Sequence, residues 1–134
     1  MSELKELAAE AKHELLTHII PFWRGMRDDK FGGYYGYLSY DLALDEKAEK
    51  GCILNSRITW FFANAYLLYK DGGISEEECE AAGFKGEDLL AEAKHGYKFL
   101  REHCIDKEYG GIFWSLNYDG TPLDTTKHTY NQEI

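Results

Sequence analysis

Arg57 is the one charged residue between Lys50 and Lys70, in a stretch otherwise built of apolar and neutral polar side chains. A guanidinium keeps its charge at any working pH, so within a buried helix it must meet an anion or several acceptors. Two readings follow from the residue itself. One is a structural ion pair with Asp41 or Asp45. The other sets Arg57 on a cavity floor, where its fork of donors holds substrate oxygens and favours the oxyanion formed when a proton leaves an adjacent carbon. The segment KHTYNQ, Lys127 to Gln132, is the second dense polar group. Its Tyr130 is either a core ring with a satisfied hydroxyl or a hydrogen-bond donor to substrate. His128 reads as a capping or core histidine before an acid or base, and Asn131 and Gln132 as helix-packing amides before ligands. Arg57 and Tyr130 are the substrate-binding candidates, with Asn55, Trp60, His128 and Asn131 as further pocket lining.

Aromatic residues make up 15% of the chain. Flat rings against the apolar faces of sugars, interleaved with carboxylates and amides for the hydroxyls, are a common carbohydrate-binding texture. Tyr34, Tyr37, Tyr40, Trp60 and Trp114 are candidates for it, each with core packing as the alternative. No phosphate loop, dinucleotide fingerprint, zinc-protease motif or serine nucleophile elbow occurs. His13 and His18 stand five apart, off the spacing that shares a helix face, and His95 and His103 fall on a surface helix, so no metal site is expected. Asp28 and Asp29 read as turn initiators ahead of a loop rather than as a glycosidase pair.

The 134 residues carry a formal net charge of −9, which argues against nucleic acid and anionic membrane as partners. Cys52, Cys79 and Cys104 are too few and too scattered for a disulfide framework, and none forms a Cys-x-x-Cys pair, which points to a reducing, cytoplasmic setting. The opening MSELKELAAE lacks the apolar run of a secretory signal. The apolar stretch from Gly51 to Tyr69 holds Asn55, Ser56, Arg57, Thr59 and Asn64, which hydrocarbon would penalise.

Leu4, Leu7, Ala8, Ala11, Leu15 and Ile19 recur at helical spacing behind Ser2, with Pro21 at the end, and predict an amphipathic helix over about 3–20. GGYYGYLSYDLALD then predicts a hairpin or ordered extended loop over about 32–45. Apolar residues all round the stretch at about 52–69 predict an inner helix surrounded by protein. Gly72 to Glu80 reads as a solvated connection with one helical turn around Cys79 and Ala81. Leu89, Ala93, Tyr97, Leu100 and Cys104 predict an outer helix over about 86–103, with Glu87, Glu92, Lys94, Lys98 and Arg101 facing water.

YGGIFWSLNYDG laid over FGGYYGYLSYDL places Gly110 and Gly111 on Gly32 and Gly33, Leu116 on Leu38, Tyr118 on Tyr40 and Asp119 on Asp41, at a constant offset of 78. The pattern is a repeat of outer helix, Gly-Gly hairpin and inner helix. The second hairpin is expected over about 110–123 and a further inner helix from 125 to 134, cut short at Ile134. Such helix pairs cannot bury their inner faces alone, so a single incomplete domain is expected, with its chemistry gathered where the hairpins meet the inner-helix starts.

HIIPFW, RDD followed by GGYYGYLSYD, ILNSRITWFFANAY, and YGGIFW running to KHTYNQ together resemble the N-acylglucosamine 2-epimerase family, in particular its cellobiose-epimerising branch. The resemblance implies an all-α fold, the N-terminal part of an (α/α)6 barrel whose helix pairs are linked by long hairpin-like loops. It implies inversion at C2 of the reducing-end glucose of cellobiose and related β-1,4 disaccharides, without a cofactor, through ring opening, proton removal by a histidine, a cis-enediol and reprotonation by a second histidine. Arg57 matches the arginine that holds the O1 and O2 region of the sugar, and Tyr130 a tyrosine lining the same pocket. Members usually read His-Ser-Arg where this chain has Asn55, Ser56 and Arg57. The acid/base histidines belong to later inner helices, beyond Ile134, so no catalytic residue is expected in this chain and no turnover from it alone. N-acylglucosamine 2-epimerase or mannose isomerase activity of the same family is the alternative; a non-catalytic module that binds sugar, or that self-associates through exposed inner helices, is another.

Overall fold

The computed structural model describes residues 2–132. Helix α1 (Ser2–Glu14) runs through a π-helical turn at Leu15–Ile19 into α2 (Ile20–Gly25). The Ile20 amide donates to the Leu15 carbonyl, five residues back, and this wider turn moves the stripe that faces the core. Leu16 and Ile20 are buried, while Ile19 is 38% exposed and Leu4 and Leu7 exceed 60%. The expected stripe through Leu15 and Ile19 is therefore off by one residue, about 100° around the helix. Pro21 does not end the helix. It sits in the first turn of α2, where a missing amide proton is tolerated.

Strand β1 (Lys50–Gly51) leads into α3 (Cys52–Lys70), and α5 (Gly86–Phe99) continues through a second π-helical turn, Leu100–Cys104. Cys52, Asn55, Ile58, Phe62 and Ala65 are the buried residues of α3; Leu89, Ala93 and Phe99 are among those α5 contributes. Among the described residues α3 is not covered all round: Trp60 is 69% and Leu67 57% exposed, and with Arg57 and Asn64 they form one bare stripe. Between these helices, α4 (Glu76–Ala81) is capped by Ser75 and Glu78 acting reciprocally. Ile74, Cys79 and Phe84 from this region are buried in the main core, so it is a packed element rather than a solvated connection.

Glu92, expected to face water, is 3% exposed. It accepts from Arg24 Nε at 3.1 Å, from Arg27 Nη1 at 3.3 Å and from the Tyr34 hydroxyl at 2.9 Å. Tyr34, a sugar-stacking candidate from the sequence, is likewise fully buried against Phe62, with ring centroids 5.9 Å apart. Burial first, and then the charge of Glu92, pushes its hydroxyl pKa up, so Tyr34 remains a donor.

The second hairpin supplies β2 (Ser115–Leu116) and β3 (Pro122–Asp124); the antiparallel order β1-β2-β3 ties the start of α3 to the second repeat. The first hairpin has only the isolated bridges Arg27 to Tyr34 and Leu38 to Leu44. The chain is mostly helical with this small sheet. Helix α6 (Thr129–Gln132) is the last described element, and positions 133 and 134 of the expected inner helix lie outside the described residues.

Candidate functional site

The two Gly-Gly loops are superimposable in their hydrogen bonds. Asp28 Oδ1 accepts from the amides of Lys30 and Phe31 at 2.9 and 3.0 Å, and Asp106 Oδ1 from those of Glu108 and Tyr109 at 3.0 and 3.1 Å. The Asp28 amide donates to Gly33 O and the Asp106 amide to Gly111 O. Each aspartate then takes a lysine from the start of the following inner helix: Lys50 Nζ to Asp28 Oδ2 and Lys127 Nζ to Asp106 Oδ2, both at 2.6 Å. An amide side chain five residues after each lysine closes the unit. Asn55 Oδ1 accepts from the Tyr34 amide at 2.9 Å, and Gln132 Oε1 from the Ile112 amide at 2.7 Å.

The second glycine of each pair has a left-handed φ, +68° at Gly33 and +80° at Gly111. A Cβ there would lie 2.8 Å from Asn55 Oδ1 and 2.6 Å from Gln132 Oε1 respectively, so the amide oxygen occupies the space that a side chain would take. The carboxylates answer to these contacts. At Asp28, burial alone would raise the pKa, but the bond from Lys50 and the two amides outweigh it and hold the carboxyl below its usual range. At Asp106, the bond from Lys127 is the leading cause of the same lowering.

These units seat the inner-helix starts, and the starts carry the candidate residues. The Arg57 guanidinium, two residues beyond Asn55, donates to the Tyr130 hydroxyl and lies 5.9 Å from the centre of its ring. Both side chains are exposed. Among the described residues α5 packs against the other face of α3, and Arg57 lies exposed beside Tyr130. The contact of the Arg57 guanidinium among the described residues is with Tyr130 rather than with Asp41 or Asp45; Asp41 is bonded by the Ser39 hydroxyl, and Asp45 Oδ1 accepts from the Lys47 amide. Trp60, one turn after Arg57, shares the bare face. His128 lies edge-on to Trp114, with centroids 4.8 Å apart. Tyr37 and Tyr40 are exposed.

Asn55 is corrected from pocket lining to scaffold. It is fully buried, and its amide nitrogen donates to Gly51 O at 3.0 Å while its oxygen holds Tyr34. The side chain of Asn131 lies outside what the structure describes. Sequence reasoning missed Lys50, Lys127, Asp28, Asp106 and Gln132 as one device. The signal was present in the twice-repeated Asp-x-x-x-Gly-Gly and in a lysine five residues before an amide. Among the described residues no group of three or more His, Cys, Asp and Glu is arranged to hold a metal ion, and no helix is long and apolar enough to cross a membrane.

Two copies of outer helix, aspartate-anchored Gly-Gly loop and inner-helix start define an α/α repeat protein with polar residues at one end of its inner helices. The sequence profile of the N-acylglucosamine 2-epimerase family (GlcNAc 2-epimerase) matches residues 33–134, and the chain belongs to that family. It is 50% identical to cellobiose 2-epimerase from Ruminococcus albus over 125 residues, 93% of this chain but 28% of that protein. A crystal structure of a sugar epimerase from a ruminal bacterium superimposes with a TM-score of 0.79 at 50% identity, over 93% of this chain and 28% of that one. The cellobiose 2-epimerase of Bacillus thermoamylovorans does so with a TM-score of 0.81 at 38% identity, over 95% of this chain and 29% of that one. The chain thus spans somewhat over a quarter of the length of these relatives.

Proposed function

We propose that these residues are the opening arc of an (α/α)6 barrel in a cytoplasmic carbohydrate 2-epimerase acting on the reducing-end glucose of cellobiose and related β-1,4 disaccharides. Arg57 and Tyr130 bind the sugar, and Trp60 and His128 line the same pocket. The bidentate donors of Arg57 suit the O1 and O2 oxygens, where negative charge grows as the C2 proton leaves and a cis-enediol forms. The histidines that move that proton lie on inner helices beyond Ile134, no cofactor takes part, and the 134 residues alone do not turn over. The observation that carries the reading is the pairing of Arg57 with Tyr130 across two inner-helix starts. It is supported by the identity with cellobiose 2-epimerases over most of this chain.

Incubating the chain with cellobiose and analysing the disaccharide should give no epimerised product. Product that vanishes in Arg57→Ala would overturn the inactivity claim. Calorimetry at millimolar cellobiose should give a weak binding heat that Arg57→Ala removes, and no heat from the parent chain would sink the binding role. The exposed Trp60, Leu67 and Leu68 on α3 favour self-association of the isolated chain as a second reading. Light scattering tests it, and a clean monomer at high concentration counts against it.

A further inference from the structure

We infer that the recess between the first Gly-Gly loop and the turn of the second hairpin, walled by Phe31, Tyr35 and Tyr118, is a second carbohydrate site that takes one glucosyl ring of a β-1,4-linked saccharide. It draws on no residue of α6 or of the bare stripe of α3. The recess has a volume of about 290 Å³ and also presents Lys30, Glu46 and Lys47. Ligand pockets start at about 300 Å³, so the space suits a single sugar ring rather than a whole oligosaccharide. Phe31 and Tyr118 meet edge to face, with centroids 5.4 Å apart and planes at 84°. Tyr34 next door is fully buried, as a packing ring should be, whereas Phe31, Tyr35 and Tyr118 each keep part of their surface open.

The walls are set by backbone bonds before any ligand arrives. The Phe31 amide donates at 3.0 Å to Asp28, the carboxylate that Lys50 clamps, and the Tyr35 amide donates to Met26 O at 2.7 Å. Tyr118 lies in the turn closed by the Asn117 amide on Thr121 O, also at 2.7 Å. A ligand therefore meets rings already in place and loses little affinity to ordering them. The Tyr35 hydroxyl donates to Glu46 Oε1 at 3.4 Å, a bond long enough to be weak, so both groups are open to a sugar hydroxyl. Burial, and then the charges of Asp28 and Glu46, push the Tyr35 pKa up and keep it a donor.

Charge narrows the choice of guest. Aromatic walls also suit a quaternary ammonium, but the Lys30 ammonium already lies 5.1 Å from the centre of the Phe31 ring, and Lys47 adds a second positive charge. An anion would meet the carboxylate of Glu46. A neutral ring with an apolar C–H face and hydroxyls at its edge avoids both costs. That the ring is a glucosyl unit rests on the function proposed above; that the recess takes a neutral sugar does not.

The test uses the whole 134-residue chain with isotope-labelled side chains, read by NMR, and methyl β-cellobioside, whose glycosidic methyl prevents ring opening. Millimolar probe should shift the ring signals of Phe31, Tyr35 and Tyr118 along one saturation curve. Tyr118→Ala should raise the Kd read at Phe31 and Tyr35 by about fivefold or more, and Arg57→Ala should leave it unchanged. Tetramethylammonium and inorganic phosphate at the same concentration should leave the rings unmoved. Where Tyr118→Ala also moves the Tyr34 amide signal, and so reports a disturbed fold, Phe31→Leu, which keeps apolar bulk without a ring, is read against the same outcome. No ring shift in the parent chain, an unchanged Kd in the variant read, or shifts reproduced by tetramethylammonium or phosphate overturn the inference. With cellobiose as probe, shifts at Arg57 without shifts at the three rings remove the second site and leave the proposed function standing. Ring shifts without any at Arg57 keep the second site and remove the sugar role of Arg57.

Discussion

The two loop clamps share their hydrogen bonds and differ in burial. The Lys50 and Asp28 side chains are 0% and 2% exposed, those of Lys127 and Asp106 30% and 11%. Around Lys50 the surroundings close further, with the Phe99 ring 5.4 Å and the Tyr35 ring 5.8 Å from its ammonium. A pair in such a place is expensive to break, because removing one charge strands the other without water. The same sequence device thus lies fully in the core in one repeat and is part-exposed in the other.

The largest effect should come from Lys50→Met, which leaves Asp28 buried without its cation. A loss of about 3–5 kcal/mol is expected in urea unfolding, whereas Lys127→Met should leave the global midpoint unmoved and perturb only signals of the second loop and α6. Equal losses would break the contrast between the clamps. Next, Gly33→Ala should cost more than Gly111→Ala. Both force a left-handed φ on a residue with a Cβ, worth about 1–2 kcal/mol. At Gly33, however, the new methyl also meets the buried Phe99 ring at 2.8 Å, whereas at Gly111 it meets the ends of the Gln132 and Lys127 side chains.

Acid provides a smaller probe. Both aspartates have pKa values below the ordinary carboxylate value of about 3.9. Their stabilising contribution is therefore fully present above that value and is lost as pH falls through the lower folded-state pKa values. Stability should be flat from neutrality down to about pH 5 as far as these groups decide it, then fall. Asp28→Asn should start from a lower stability and show a shallower acid slope; an unchanged slope would mean that the buried clamp is not the acid-sensitive part. The smallest stability effect belongs to Arg57→Ala. An exposed residue on the bare face of α3 should change the unfolding free energy by no more than about 0.5 kcal/mol while removing any sugar response.

Much of the architecture was legible where the signal was local. The stretches with helical apolar spacing form α3, Cys52–Lys70, and α5, Gly86–Phe99. Periodicity over a long segment is set by the chain's own geometry. The errors fell where a neighbour decided. Glu92 has the character of a surface residue on an amphipathic helix, and only the approach of Arg24, Arg27 and Tyr34 from the first repeat makes it a core residue. The π-helical turn at Leu15–Ile19 adds one residue to a helical turn and so rotates the stripe, a change that no spacing rule anticipates. At the candidate site, Arg57 and Tyr130 were both identifiable as types, but their meeting across 73 residues was not.

The sequence by itself determined the repeat, since the spacing of Asp, Gly-Gly, lysine and amide can be counted, and with it the helical plan and the residue types at the inner-helix starts. Tertiary structure alone decided which lysine lies in the core and which at the edge, that Asn55 is scaffold, and that Arg57 meets Tyr130 on an open face. The physical reason is that spacing follows from bonds along the chain, whereas burial and charge pairing depend on the surfaces that distant segments bring together.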